Sequence, residues 1–321
     1  MRTICTIGEI LVEFLAKEIN QDLTLPGEFT GPFPSGAPAI YADQVAMLGF
    51  PSMLFSCVGA DTFGTLCMNR LRRDGVNIAN VAVIPAAVTG TAFVSYQNQT
   101  QRNFIFNMTQ SANGYLSAEY IDEHQLSNCR HLHIMGSSLF SFRIIDAICK
   151  AIHQIKNNHG TISFDPNIRK EMLNIPEMSQ AFDFIMEYTD IFLPSESELD
   201  YFAESEDKDE EHVVAKLLAD GIGHVVIKRG AKGASYYAID GRGKRIEHHI
   251  PGFSVDTVDP TGAGDCFGAT FVCLLLEGYP VKKALRFAAA SGALAISRQG
   301  PMEGTSTLPE LELFVAAGGQ H

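Results

Sequence analysis

The residues Asp259-Pro260-Thr261-Gly262-Ala263-Gly264-Asp265 join a turn of small residues to a carboxylate at the expected start of a helix. From Cys266 to Glu277 the chain is mostly apolar, with neither Pro nor Gly after Gly268, as in a buried helix. The first turn of such a helix carries free N–H groups and a positive dipole end. Gly262 and Gly264 let the backbone approach an anion closely, so the amides of Gly262, Ala263 and Gly264 are expected to cradle a phosphoryl group in transfer. A carboxylate has no reason to bind phosphate. Asp265 is therefore read as a general base for the proton of an attacking hydroxyl, the alternative being a simple charged helix start.

Gly262, Gly264 and Gly268 also approximate the glycine fingerprint of dinucleotide-binding folds. That fingerprint follows a buried strand, whereas residues 251–260 are broken by Pro and Gly. It also opens such domains, and here it lies near the other end of the chain.

The Asp259–Asp265 stretch closely resembles the second signature of the PfkB, or ribokinase-like, carbohydrate kinases, in which the turn forms the anion hole and its last Asp is the catalytic base. Further segments resemble family motifs in the expected order over nearly the whole chain. Ser35-Gly36-Ala37-Pro38-Ala39 resembles the di-glycine sugar-binding segment, with Gly49 and Gly59 at the spacing of the first signature. Two departures stand out: Ser35 replaces a glycine, and Ile40 replaces an Asn that binds sugar. Recognition is then expected to move to Glu13, Ser35 and Gln44. Asp165-Pro166-Asn167-Ile168-Arg169 resembles the family's D-x-N-x-R segment, which implies Asn167 on a hydroxyl or phosphate and Arg169 on the phosphate or an acidic or carbonyl end of the sugar. Pro194-Ser195-Glu196-Ser197-Glu198 matches an N-x-x-E segment that organises magnesium-bound water, with Glu198 as its outer-shell acid and Ser195 in place of Asn. In Lys228-Arg229-Gly230-Ala231-Lys232-Gly233 the resemblance implies Lys228 on the triphosphate and Gly230 and Gly233 admitting the nucleotide. It also implies Ala288 to Ser297 along the adenine, Thr261 at the phosphates, and Asp259 with Thr261 at a potassium ion.

These residues need elements to hold them. Thr3 to Ile7 and Ile10 to Leu15 read as strands, Asn20 to Pro34 as an excursion, and Ala37 to Leu48 as a helix. Ser52 to Val58 and Val81 to Ile84 read as strands around a helix from Gly64 to Asp74. Thr89 to Tyr96 and Arg102 to Met108 read as paired strands set apart from the core, from which Tyr96 and Arg102 reach toward the sugar. Strand-like runs His131 to Met135, Thr161 to Phe164, Ile191 to Leu193 and His224 to Ile227 alternate with helical runs, among them Glu210 to Ala219. That alternation calls for a parallel sheet with crossovers. The expected fold is α/β, a ribokinase-like doubly wound, mainly parallel sheet flanked by helices. It spans 1–321 as one domain, with small β lid segments at about 11–34 and 89–108.

With 321 residues, 46% of them hydrophobic, the chain can bury a large core, and its net charge of −13 disfavours nucleic acid as a partner. The apolar run Ala269 to Leu276 is too short to span a bilayer, and Glu9 falls where a signal peptide would be apolar. No membrane association and a cytoplasmic location are expected. The seven cysteines form no C-x-x-C pair, which suits reduced thiols. His131, His133, His248 and His249 lack carboxylate or cysteine neighbours at metal-binding spacing and are read as structural.

The residues and the resemblance together imply an ATP- and magnesium-dependent kinase acting on a hydroxyl, most simply a primary one, of tagatose, fructose or 2-keto-3-deoxygluconate. A nucleoside kinase of the same fold and a catalytically silent sugar-binding regulator remain as alternatives. Relatives dimerise through their lids, and an exposed lid edge would favour a homodimer here.

Overall fold

The computed structural model describes residues 2–97, 102–168, 176–202 and 209–319. The first half runs β1 (Thr3–Ile7), β2 (Leu11–Ala16), β3 (Phe29–Ser35), α1 (Ala37–Met47), β4 (Ser52–Gly59), α2 (Thr62–Arg73), β5 (Val81–Ile84), β6 (Gly90–Tyr96) and β7 (Arg102–Asn107). Then come α3 (Glu123–Leu126), β8 (Cys129–Met135), α4 (Phe142–Asn157), β9 (Thr161–Asp165), α5 (Pro176–Tyr188), β10 (Ile191–Phe192), α6 (Glu210–Ala219) and β11 (His224–Lys228). The last part is β12 (Ala234–Ile239), β13 (Arg245–Ile250), α7 (Ala263–Leu276), α8 (Val281–Ile296) and α9 (Leu308–Ala316).

Nine strands form one sheet in the order β13-β12-β11-β10-β9-β8-β1-β4-β5. From β11 to β5 every neighbour is parallel, and β12 and β13 extend the edge as an antiparallel pair. Both faces are covered, as a parallel sheet requires. Along β1, Cys5 and Ile7 join one core with α4, α5 and α6, while Ile4 joins the other with α1, α7, α8 and α9. Helix α4 shows the cause in its sequence: Ile144, Ala147, Ile148, Ala151, Ile152 and Ile155 make one buried stripe at helical spacing. Helix α7 is different, buried at every position from Asp265 to Leu274, because α1 and α8 pack on it as well as the sheet.

A second sheet, β3-β2-β6-β7, stands apart and draws its strands from the two early excursions. Strand β3 falls almost wholly within the Asn20–Pro34 excursion, where the sequence marks no individual strand and which is part of the expected 11–34 lid segment. Pro32 and Pro34 donate no hydrogen bonds, and β3 accommodates them at the sheet edge, pairing only with β2. Between the sheets, Asp61 caps α2 through Gly64 N–H at 2.8 Å and also accepts Thr89 N–H at 2.7 Å just before β6. The sheet's parallel run sets the carboxyl ends of β9, β10 and β11 on one edge, which is where ligands bind in such folds.

Candidate active site

The Pro260–Gly264 turn enters α7 with no strand before it, and Gly262 is the residue that starts the helix, with φ +83°. A side chain there would meet Pro301 O at 2.6 Å, so only glycine fits the bend. Asp265 follows in the first helical turn and is 8% exposed. The loop after α8 closes over this turn. Asp259 accepts Thr261 N–H at 2.9 Å through Oδ1 and Gly300 N–H at 3.0 Å through Oδ2, tying the two loops together.

The small sheet reaches the same turn. Tyr96 and Arg102 are direct cross-strand partners, so their side chains share a face. The Tyr96 hydroxyl donates to Asp259 Oδ1 at 3.0 Å, and Arg102 Nη1 donates to Thr261 Oγ1 at 2.7 Å. Burial and the adjacent Asp259 push the Tyr96 phenol up, keeping it a donor. Ser35 donates to Glu13 Oε1 at 2.6 Å, and Gly36, at φ +112°, opens α1 where a side chain would strike Glu9 O at 2.4 Å.

On the sheet edge, Asp165 ends β9 and Lys228 ends β11, and their side chains form an ion pair. Lys228 Nζ lies 3.5 Å from where a Cβ on Gly264 would stand, so the ammonium sits over the glycine turn. Burial pulls this ammonium down, but Asp165, Glu198 and Asp265 together hold it above its ordinary value. Burial pushes the Asp165 carboxyl up to about 6, with Lys228 opposing. Asp165 Oδ1 also accepts Asn167 N–H at 3.2 Å, in a turn where Asn167 has φ +39°. Glu198 is held by three donors: Ile168 N–H at 2.7 Å on Oε1, and Ser195 N–H and Oγ–H, both at 2.7 Å, on Oε2.

Two clefts meet at the turn. The smaller, about 110 Å³, is lined chiefly by polar groups, among them Glu13, Ser35, Arg102, Asn167 and Asp265, with Ala37 and Ile40 as apolar wall. The larger, about 400 Å³, is mostly apolar, with Phe253, Val255, Ala289 and Ile296 facing Gly230 and Gly233. Lys228, Pro260, Ala263 and Gly264 line both clefts, so the glycine turn is their common wall.

Most residues singled out in the sequence thus converge on one place. Gln44 does not: it is buried and clasps Ser306, donating to its carbonyl and accepting from its N–H, both at 2.9 Å. Arg169 lies outside the described residues. Arg229 is 12% exposed and paired with Glu196 and Glu210. Asp165, Pro260 and Phe253 belong to the site without having been picked out. For Asp165 a signal existed, since it opens the D-x-N-x-R segment at a strand end. Among the described residues, no group of His, Cys, Asp and Glu is arranged to hold a metal ion by itself, and no helix is long and apolar enough to cross a membrane.

The chain is also similar to known proteins over most of its length. The description "pfkB family carbohydrate kinase" matches residues 1–308. Probable fructokinase-5 of Arabidopsis thaliana is 30% identical, over 95% of this chain and 94% of the relative. An E. coli protein described as a "putative Ribokinase II in complex with ATP and Mg+2" is 48% identical with a TM-score of 0.92, over 99% of this chain and all of the other. A double mutant of fructokinase from Vibrio cholerae O395, described in a fructose, ADP and potassium ion bound form, is 25% identical with a TM-score of 0.83, over 98% of each chain. The chain belongs to the pfkB carbohydrate kinase family and is a phosphotransferase acting on a sugar hydroxyl.

Proposed function

We propose that this protein transfers the γ-phosphoryl group of ATP to a hydroxyl, most simply a primary one, of a ketose or ketodeoxy sugar acid such as fructose, tagatose or 2-keto-3-deoxygluconate. The observation that carries the reading is the meeting of an apolar cleft and a small polar cleft at one glycine turn, with Asp265 at its end. The apolar cleft suits an adenine between Val255, Ala289 and Ile296, while Gly230 and Gly233 keep the opposite wall low. The amides of Gly262, Ala263 and Gly264 then receive charge on the equatorial oxygens, and Lys228 neutralises it from above. Asp265 accepts the proton of the attacking hydroxyl. Glu13, Ser35, Arg102 and Asn167 hold the acceptor, and the small sheet, latched through Tyr96 and Arg102, excludes water.

Magnesium supplies charge neutralisation of the triphosphate when bound. Glu198 suits an outer-shell part, since three donors already occupy most of the roughly four acceptor positions of a carboxylate, leaving room for one metal-bound water. Asp259 is occupied to the same degree by Tyr96, Thr261 and Gly300, so its first task is to brace the turn. The residues that would hold a potassium ion there are Asp259 and Thr261. The Mg-ATP and potassium forms described for relatives support both ions. The exposed Asn103, Ile105 and Asn107 on β7 support pairing of two copies through their small sheets, which light scattering at working concentration tests.

ADP release with Mg-ATP over ketohexoses, aldohexoses, pentoses, ketodeoxy acids and nucleosides tests the activity. Strong turnover of one ketose or ketodeoxy acid is expected. Turnover of a nucleoside alone, or sugar binding without ADP release, contradicts the proposal and points to the nucleoside kinase or the silent regulator.

A further inference from the structure

The Asp165–Lys228 pair joins two strand ends, β9 and β11, with β10 between them in the sheet. Asp165 is 1% exposed and Lys228 15%, so the pair is largely withdrawn from water. A buried ion pair of this kind is a weak source of stability, because desolvating both charges offsets most of their attraction. Its placement is more informative. Lys228 lies at the junction of the two clefts, against the Gly264 end of the turn. A lysine side chain is flexible and would otherwise sample many rotamers, so a fixed anion at the right distance sets where the charge waits. The other Asp165 oxygen holds the backbone of Asn167, which lines the acceptor cleft. One carboxylate therefore fixes a group on the phosphate side and another on the acceptor side.

We propose that Asp165 is a positioning residue that holds the Lys228 ammonium, charged and aimed, at the junction where the phosphoryl group crosses. It does not line the larger, apolar cleft, and it acts through Lys228 and Asn167. The titratable groups around the ammonium come from four elements: the carboxylates Asp165 from β9, Glu198 from the short helical turn after β10 and Asp265 from α7, and His133 from β8, which burial keeps neutral. Arg102 adds positive charge across the small cleft. Of these, Asp165 is in direct contact, so its removal is the change Lys228 feels most. Without it, burial dominates and the ammonium loses its proton at lower pH.

The inference rests on the phosphoryl-transfer reading for its purpose, so the test uses no sugar. Asp165→Asn keeps the shape and removes the charge. NMR titration of lysine side chains labelled with carbon-13 reads the Lys228 midpoint in the ligand-free protein, and calorimetry reads Mg-ATP affinity against pH. The Lys228 midpoint is expected to fall by at least about one pH unit in Asp165→Asn. Its Mg-ATP affinity should fall relative to wild type as pH rises through the variant's lowered lysine midpoint, by up to about tenfold per pH unit of midpoint shift, and hardly at all near pH 7. Adding Lys228→Arg, whose charge persists at any working pH, should restore the alkaline affinity. An unchanged midpoint, or affinity that runs parallel to wild type at every pH, overturns the proposal, as does failure of the arginine to restore it. Should Asp165→Asn not fold, the wild-type midpoint decides: one above the ordinary lysine value is expected, and one below it contradicts the role. Normal pH behaviour of Mg-ATP binding without turnover of any sugar counts against the proposed activity and leaves Asp165 standing.

Discussion

Gly262→Ala should separate the anion turn from ordinary backbone strain. At φ +83° any side chain costs about 1–2 kcal/mol. The new Cβ would also stand 2.6 Å from Pro301 O and 3.3 Å from Ile40 Cγ2. A backbone oxygen cannot swing aside like a side-chain tip, so the turn itself must shift, adding about 1–3 kcal/mol. The sum, about 2–5 kcal/mol, is smaller than the roughly 10 kcal/mol at the middle of the usual range of about 5–15 kcal/mol, so a domain of ordinary stability stays folded. The shift moves the amides that face the phosphoryl group, and a misplacement of about 1 Å at a reacting centre costs on the order of 100-fold in rate. Gly278→Ala is the control: its φ is +79°, just past the other end of α7, and a side chain there meets nothing within 4 Å. It should lose only the strain energy and keep its rate. Urea unfolding and ADP release on purified proteins give both numbers. If Gly262→Ala keeps turnover within about threefold of Gly278→Ala, the turn does not serve the transfer as argued.

Tyr96→Phe removes the donor at 3.0 Å from the buried Asp259 and should cost about 1 kcal/mol of stability while raising the acceptor KM more than it lowers kcat; a change in kcat alone contradicts the latch. His131 is buried between Thr161 and Ser163, and burial holds its folded pKa down to about 3, far below the usual value near 6.5. A depressed histidine contributes stability that is full above about 6.5 and lost as pH falls toward 3, at about 1.4 kcal/mol per unit. Asp43, pushed up to about 8 by burial, has the opposite slope, so the readout is a difference. Between about pH 5 and 6.5, His131→Gln should flatten the rise of stability with pH by about 1 kcal/mol per unit, and equal slopes by urea titration would refute this.

Local pattern was legible wherever it decided structure. Helix α6 and strand β5 fall on the bounds read from the sequence, because Gly221 stops one and an apolar β-prone run makes the other. The placement of the glycine turn and of Asp265 in the first turn of α7 was legible for the same reason, since small residues before an apolar run mark the entry to a buried helix. Strand β3 was hidden by its prolines, which only its edge position makes tolerable. The ties that assemble the site were out of reach: Asp165 and Lys228 are 63 residues apart, and Tyr96 and Asp259 are 163. No local periodicity encodes such partners. Gln44 shows the converse, a polar residue near a binding segment whose buried amide serves the Ser306 backbone instead.

The central claim is that Asp265 takes the proton of the acceptor as the phosphoryl group crosses the turn. Single-turnover phosphoryl transfer by Asp265→Asn, with Mg-ATP affinity measured on the same preparation, tests it most directly. Transfer is expected to fall by about 10²–10⁴-fold with nucleotide affinity and unfolding midpoint essentially unchanged. Transfer within about tenfold of wild type would show that the proton leaves by another route.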